Sequence, residues 1–233
     1  MAQMVTLVLL PGLDGTDVFF RPLVAALPGQ IAPKVIQFPT AAANDYPDLL
    51  RLVQSALSPT PKCYVLGWSF SGPLALMAAV AEPEKVQGVI LASSFVRPPR
   101  RWYARLAWGA VTPMIHAIRA CRRIPVWLTR PSSDRLRQDK TETWKRVSSS
   151  NVAARIRALL RIDARDVLRQ CKQPVLCLAG GDDGIVPHHN VEDIVAVRPS
   201  VRVHMIEGQH FALYTNAQAA ANAITAFIDE VEA

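Results

Sequence analysis

At 233 residues, half of them hydrophobic and 19% charged, the chain has enough apolar side chain for a packed core, which excludes intrinsic disorder. The length suits one domain carrying an insertion. The formal charge of +7 is uneven: residues 97–170 hold 18 Lys and Arg against 5 Asp and Glu, while the rest of the chain is net acidic.

Val5–Leu10 is a continuous apolar run that stops at Pro11-Gly12, with no Lys or Arg before it. It reads as a buried strand and not as the apolar part of a signal peptide. Lys34–Phe38, Cys63–Leu66, Val86–Ala92, Val175–Ala179 and Val201–Ile206 are similar short runs. Between them, Val18–Leu27, Pro47–Leu57, Phe70–Ala81, His189–Val197 and Ala217–Val231 have helical spacing. Strand–helix alternation with near-continuous apolar strands predicts a doubly wound, mostly parallel sheet of about six strands, covered on both faces.

Residues 97–170 break this alternation. They carry Trp102, Trp108, Trp127 and Trp144 and a dense set of arginines, and Ala153–Arg169 has helical propensity. The expected organisation is therefore a core of 1–96 and 171–233 with a basic, mainly helical cap inserted at 97–170. The longest clean apolar run, Pro73–Ala81, is far short of the about 20 residues that cross a bilayer. Cys63, Cys121, Cys171 and Cys177 are scattered without CxxC spacing. Buried free thiols in a reducing cytoplasm are expected, with neither metal site nor disulfide framework.

Gly67-Trp68-Ser69-Phe70-Ser71-Gly72 follows a short strand and precedes a helical stretch. This is the context of a nucleophile elbow, in which a serine occupies a strained strand-to-helix turn. Ser71 stands where G-x-S-x-G has its second glycine. Gly208-Gln209-His210-Phe211 follows the last strand and offers His210 as the base; His116, His188, His189 and His204 are worse placed. Gly180-Gly181-Asp182-Asp183-Gly184-Ile185-Val186-Pro187 supplies the acid. Its two adjacent carboxylates leave a choice, and Asp183 is favoured because it precedes the Gly-Ile-Val-Pro turn. The order Ser69, Asp183, His210 is that of a Ser…Asp…His hydrolase triad. The amides of Phe70 and Leu13 are the candidate oxyanion donors. Gly12 permits close backbone approach to a ligand, and Trp68 is a candidate pocket wall.

On Leu7–Gly15, Gly67–Gly72, Gly181–Pro187 and Gly208–Phe211 the chain resembles the α/β-hydrolase superfamily. Within it the chain is most similar to small carboxylesterases of the pimeloyl-acyl-carrier-protein methyl ester esterase type. The resemblance implies hydrolysis of a carboxylic ester or thioester through an acyl-enzyme. It also implies an acidic acyl carrier protein as partner, with Arg155, Arg157 and Arg161 as candidate contacts. For the basic stretch, an anionic carrier or thioester ranks first, peripheral contact with an anionic membrane second and nucleic acid third. A non-catalytic binding protein, acyl transfer and C–C bond hydrolysis are the competing readings. No haem, nicotinamide or metal signature is present, so no cofactor is expected.

Overall fold

The computed structural model describes residues 4–40, 44–100, 113 and 133–233. Among them, six strands form one sheet: β1 (Val5–Leu10), β2 (Ile31–Val35), β3 (Cys63–Trp68), β4 (Val86–Ala92), β5 (Val175–Gly180) and β6 (Arg202–Ile206). The spatial order is β2-β1-β3-β4-β5-β6, and all neighbouring pairs are parallel.

The apolar runs alternate between two cores, as a two-residue side-chain period requires. Val8, Leu10, Val65, Val89, Leu91, Val175 and Cys177 point to one face. Leu7, Leu9, Leu66, Ile90, Leu176 and Leu178 point to the other. The first face is covered by α2 (Tyr46–Leu57), α3 (Gly72–Ala81) and residues of the later helices Arg165–Gln170 and His189–Val197. The second is covered by α1 (Arg21–Ala26) and the C-terminal helices. The central strands are buried on both faces and read as largely hydrophobic runs, whereas the edge strand β6 leaves Val203, His204 and Met205 exposed.

Several boundaries differ from the sequence expectation for physical reasons. The second strand lies at Ile31–Val35 and not at Lys34–Phe38, with Ile31 opposite Val5. It runs through Pro33, which a strand tolerates at a sheet edge, and β2 is an edge strand. Val18–Leu27 divides into a 3₁₀ turn, Val18–Phe20, and α1. The helical stretch 153–169 is two helices, α5 (Ser149–Arg161) and α6 (Arg165–Gln170). Between them Ile162 is extended, and the Ala164 N–H donates to the Val96 carbonyl at 2.7 Å. This bond brings Ala164 beside Val96, in the segment that follows β4. Ala164 and Leu168 join the core of the first face, and Ala158, Leu159 and Ile162 of the preceding stretch pack against the same core.

Ahead of α5 lies α4 (Asp134–Arg146), a helix the sequence reading did not isolate because only Leu136 on it is a buried apolar residue. Its ends are nevertheless well specified. Ser133 Oγ accepts from Leu136 N, Asp134 lies in the first turn and Lys145 and Arg146 in the last, which suits the helix dipole. Arg21 pairs with Glu142 through two 3.0 Å hydrogen bonds and ties α4 to α1. After α7 (His189–Val197) and β6 come a short α8 (Ala212–Thr215) and α9 (Ala217–Glu232). Trp102, Trp108, Trp127, His116 and Cys121 lie outside the described residues. Cys63, Cys171 and Cys177 are free, buried thiols; burial pushes Cys63 up to about 11 and Cys177 up to about 12.

The order of the sheet locates the site. The chain starts at β1, adds β2 on one side and returns to place β3 on the other. The loops leaving β1 and β3 therefore diverge, which opens a crevice at the carboxyl ends of the two strands. Leu10 is opposite Gly67 in register, so Pro11-Gly12-Leu13 and Trp68-Ser69-Phe70 emerge side by side.

Candidate active site

β3 ends at Trp68, and Ser69 follows with φ +52°, in the left-handed region that an L side chain rarely occupies. A 3₁₀ turn, Ser69–Ser71, leads straight into α3. A Cβ on Gly67 would fall on the Ser71 carbonyl, so the turn closes only because residue 67 has no side chain. Gly67→Ala is expected to lower stability by about 3 kcal/mol, because the obstructing atoms are backbone. Urea unfolding would measure it, and an unchanged midpoint would show that the turn can open to admit a methyl group.

Ser71 has a role that the motif alone did not suggest. Its hydroxyl donates to the Pro11 carbonyl, stitching the elbow to the loop after β1. A glycine at this position would have no such donor.

Asp183 and His210 come together as expected. His210 Nδ1 is 2.8 Å from Asp183 Oδ2, and both residues are buried. Asp183 Oδ1 accepts from the amides of Ile185 (2.9 Å) and Val186 (2.8 Å). The Gly-Ile-Val-Pro turn thus orients the carboxylate, leaving Oδ2 for the imidazole. Asp182 is exposed, and its amide donates to the Gly208 carbonyl at 3.0 Å. The choice between the two carboxylates falls on Asp183.

Trp68, directly before Ser69, stacks on the His210 ring with centroids 5.8 Å apart. It also meets Phe19 at 5.5 Å and Phe211 at 5.4 Å, both edge-on. This aromatic wall excludes water from one side of the histidine. Lys140 on α4 places its ammonium 4.6 Å from the centre of the Phe211 ring, and burial lowers its pKa. Gly12 packs under Trp68, leaving little room for a side chain.

The two candidate oxyanion amides share a design. In a trans peptide the C=O and N–H point in opposite directions. The Ser69 carbonyl accepts from Ser94 Oγ at 2.6 Å, which turns the Phe70 N–H to the opposite side. The Gly12 carbonyl accepts from Gly15 N at 3.0 Å, which does the same for the Leu13 N–H. Phe70 is held by stacking on Tyr46, with centroids 4.8 Å apart, and by the Tyr46 hydroxyl, which donates to its carbonyl at 2.9 Å. The bond of Ser71 and the roles of Ser94 and Tyr46 are not legible in the sequence, because their partners lie far away along the chain.

One expectation is overturned. Arg155 cannot contact an external anionic partner, because it is 1% exposed and its guanidinium is spent on internal acceptors. Arg157 is half-buried and Arg161 exposed on the same helix. Among the described residues, no helix is long and apolar enough to cross a membrane.

Known proteins resemble the chain across most of its length. The sequence profile of the family described as serine aminopeptidase, S33 (Hydrolase_4) matches residues 37–214. The chain is 27% identical to polyketide synthase ThaQ of Burkholderia thailandensis over 254 aligned positions, covering 96% of this chain but 12% of that protein. It is 29% identical to a pimeloyl-(acyl-carrier protein) methyl ester esterase of Neisseria meningitidis serogroup C over 178 positions, covering 72% of this chain and 70% of the relative. The solved structure of an esterase from Exiguobacterium antarcticum shares the fold at a TM-score of 0.80 and 17% identity, covering 100% of this chain and 94% of that one. With the family profile spanning well over half its length and an all-parallel, helix-covered sheet, the chain belongs to the Hydrolase_4 (serine aminopeptidase, S33) family of α/β-hydrolases.

Proposed function

We propose that this chain is a carboxylesterase-like serine hydrolase acting on an acyl ester or thioester through Ser69, His210 and Asp183. The observation that carries the reading is the buried Asp183–His210 pair, stacked against the residue that precedes the left-handed Ser69. An aspartate bonded to Nδ1 holds the imidazole proton there and leaves Nε2 free as a base.

In the first half-reaction His210 Nε2 takes the proton of Ser69 Oγ as that oxygen attacks the acyl carbon. The negative charge passes to the carbonyl oxygen, where the Leu13 and Phe70 amides receive it. Collapse of this intermediate breaks the bond to the leaving oxygen or sulfur, which takes its proton from His210. In the second half-reaction water, deprotonated by His210, attacks the acyl-enzyme and releases the acid and free Ser69.

The substrate class follows from two supports. One relative is named for a methyl ester on an acyl carrier protein, and another for polyketide synthesis. The basic character of 97–170 suits an acidic carrier, with Arg157 and Arg161 as candidate contacts and Arg155 withdrawn. We assign the stretch after Val96 to a cap over the site, and the protein to the cytoplasm, where its buried thiols remain reduced.

The test is hydrolysis of p-nitrophenyl esters of graded acyl length and of carrier-linked acyl esters and thioesters, with a fluorophosphonate probe to count active sites. Turnover with one probe per chain on Ser69 is expected, and the preferred length measures the acyl pocket. Failure to label Ser69 would overturn the reading.

A further inference from the structure

Among the described residues, Arg155 is the largest side chain that is fully buried. It projects from α5 between the loops that follow β1 and β2. Nη1 donates to the Leu13 carbonyl at 2.9 Å and Nη2 to the Pro39 carbonyl at 3.0 Å. Nε and Nη2 both donate to Asn44 Oδ1, at 3.0 and 2.7 Å. The guanidinium lies 5.4 Å from the centre of the Phe38 ring, and the half-buried Asp14 carboxyl adds attraction from nearby. Gly15 has φ +70°, and a Cβ there would fall on the guanidinium, so the loop is shaped around this cation.

Burying a guanidinium is expensive, and an apolar side chain of similar volume would fill the space at lower cost. Burial pushes its pKa down to about 10, so it stays charged at neutral pH. What the cation supplies that an apolar side chain cannot is a planar set of donors. Those donors reach the backbone next to the candidate oxyanion amide. Three successive carbonyls of this loop each have a partner: Pro11 from Ser71 Oγ, Gly12 from Gly15 N and Leu13 from Arg155 Nη1. The Leu13 N–H belongs to the middle peptide group, and the groups on either side are pinned.

We propose that Arg155 is a positioning residue for oxyanion stabilisation, holding the Leu13 carbonyl so that the Leu13 amide is preset as a donor, which couples α5 to the chemistry at Ser69. This rests on the Ser69 reading of the preceding section. A preset donor requires no reorganisation as charge develops; losing one outright typically costs about 10²–10³-fold in rate. Loosening one through its neighbour costs less.

The test compares wild type, Arg155→Met and Arg155→Lys, with each rate expressed per fluorophosphonate-labelled site. Arg155→Met is expected to lower kcat about 30-fold with KM little changed. Its affinity for a boronic acid or trifluoromethyl ketone, which mimics the tetrahedral state, is expected to fall by about the same factor. Arg155→Lys can reach one carbonyl but lacks the planar fork, so its loss is expected to be smaller with the same split. A kcat per labelled site equal to wild type, or a loss confined to KM, would overturn the proposal. So would an unchanged affinity for the tetrahedral mimic. If the Met variant does not fold, the Lys variant decides on the same readouts. Wild type that is not labelled at Ser69 would overturn the Ser69 reading itself, and this proposal with it, whereas labelled wild type with indifferent variants removes the Arg155 role alone.

Discussion

Ser69→Ala is expected to lower kcat by about 10⁶-fold while the protein keeps its fold. In the proposed mechanism the hydroxyl oxygen forms the acyl-enzyme, and the two nearest serines among the described residues do not replace it: Ser71 Oγ is committed to the Pro11 carbonyl and Ser94 Oγ to the Ser69 carbonyl. Alanine is strained at φ +52° as serine is, and the bonds around the turn involve the backbone of residue 69, so they survive the change. Steady-state hydrolysis, thermal unfolding and fluorophosphonate labelling together check this. A folded alanine variant that retains a tenth of wild-type turnover would remove Ser69 from the mechanism.

Asp183→Asn is expected to cost about 10⁴-fold in kcat with little loss of structure. The Ile185 and Val186 amides both donate to Asp183 Oδ1, so the asparagine carbonyl oxygen must take that place. Its NH₂ then faces His210 Nδ1, where the carboxylate Oδ2 was. Two donors cannot share that bond, so the imidazole proton moves to Nε2. A protonated Nε2 cannot accept from Ser69. Asp182→Asn is the control: Asp182 is exposed, and its backbone amide makes the bond to Gly208 whatever the side chain. Its kcat is expected to stay at the wild-type value, and a large loss there together with a mild one at 183 would reverse the assignment.

The loop after β1 is tied to the elbow and to α5 by hydrogen bonds on its carbonyls. Ser71 belongs to the elbow and Arg155 to α5, yet both terminate on carbonyls of Pro11–Leu13. The candidate donor is thereby held from the elbow and from α5.

Much of this was legible from local pattern. Val5–Leu10, Val86–Ala92 and His189–Val197 occupy the residues expected, because an apolar run bounded by turn formers, or one with helical spacing, has few other ways to be buried. The parallel sheet followed from the alternation, and the positions of Ser69, Asp183 and His210 followed from each standing just after a strand. Local pattern failed at Pro33, where edge position overrides the usual exclusion of proline, and at 162–164, where the bond to Val96 breaks a stretch with continuous helical propensity.

The sequence by itself therefore determined the fold class, the layering and the set of residues that could do the chemistry, because these depend on spacing within single elements. The tertiary structure decided which of two adjacent carboxylates meets the histidine and what Ser71 holds. It also turned Arg155 from an expected surface contact into a buried clamp. Arg155 and Leu13 are 142 residues apart, and Ser71 and Pro11 are 60 apart. An arginine is read as exposed from its own charge. It becomes buried only when loops from two different strands bring enough carbonyl oxygens to replace water around it.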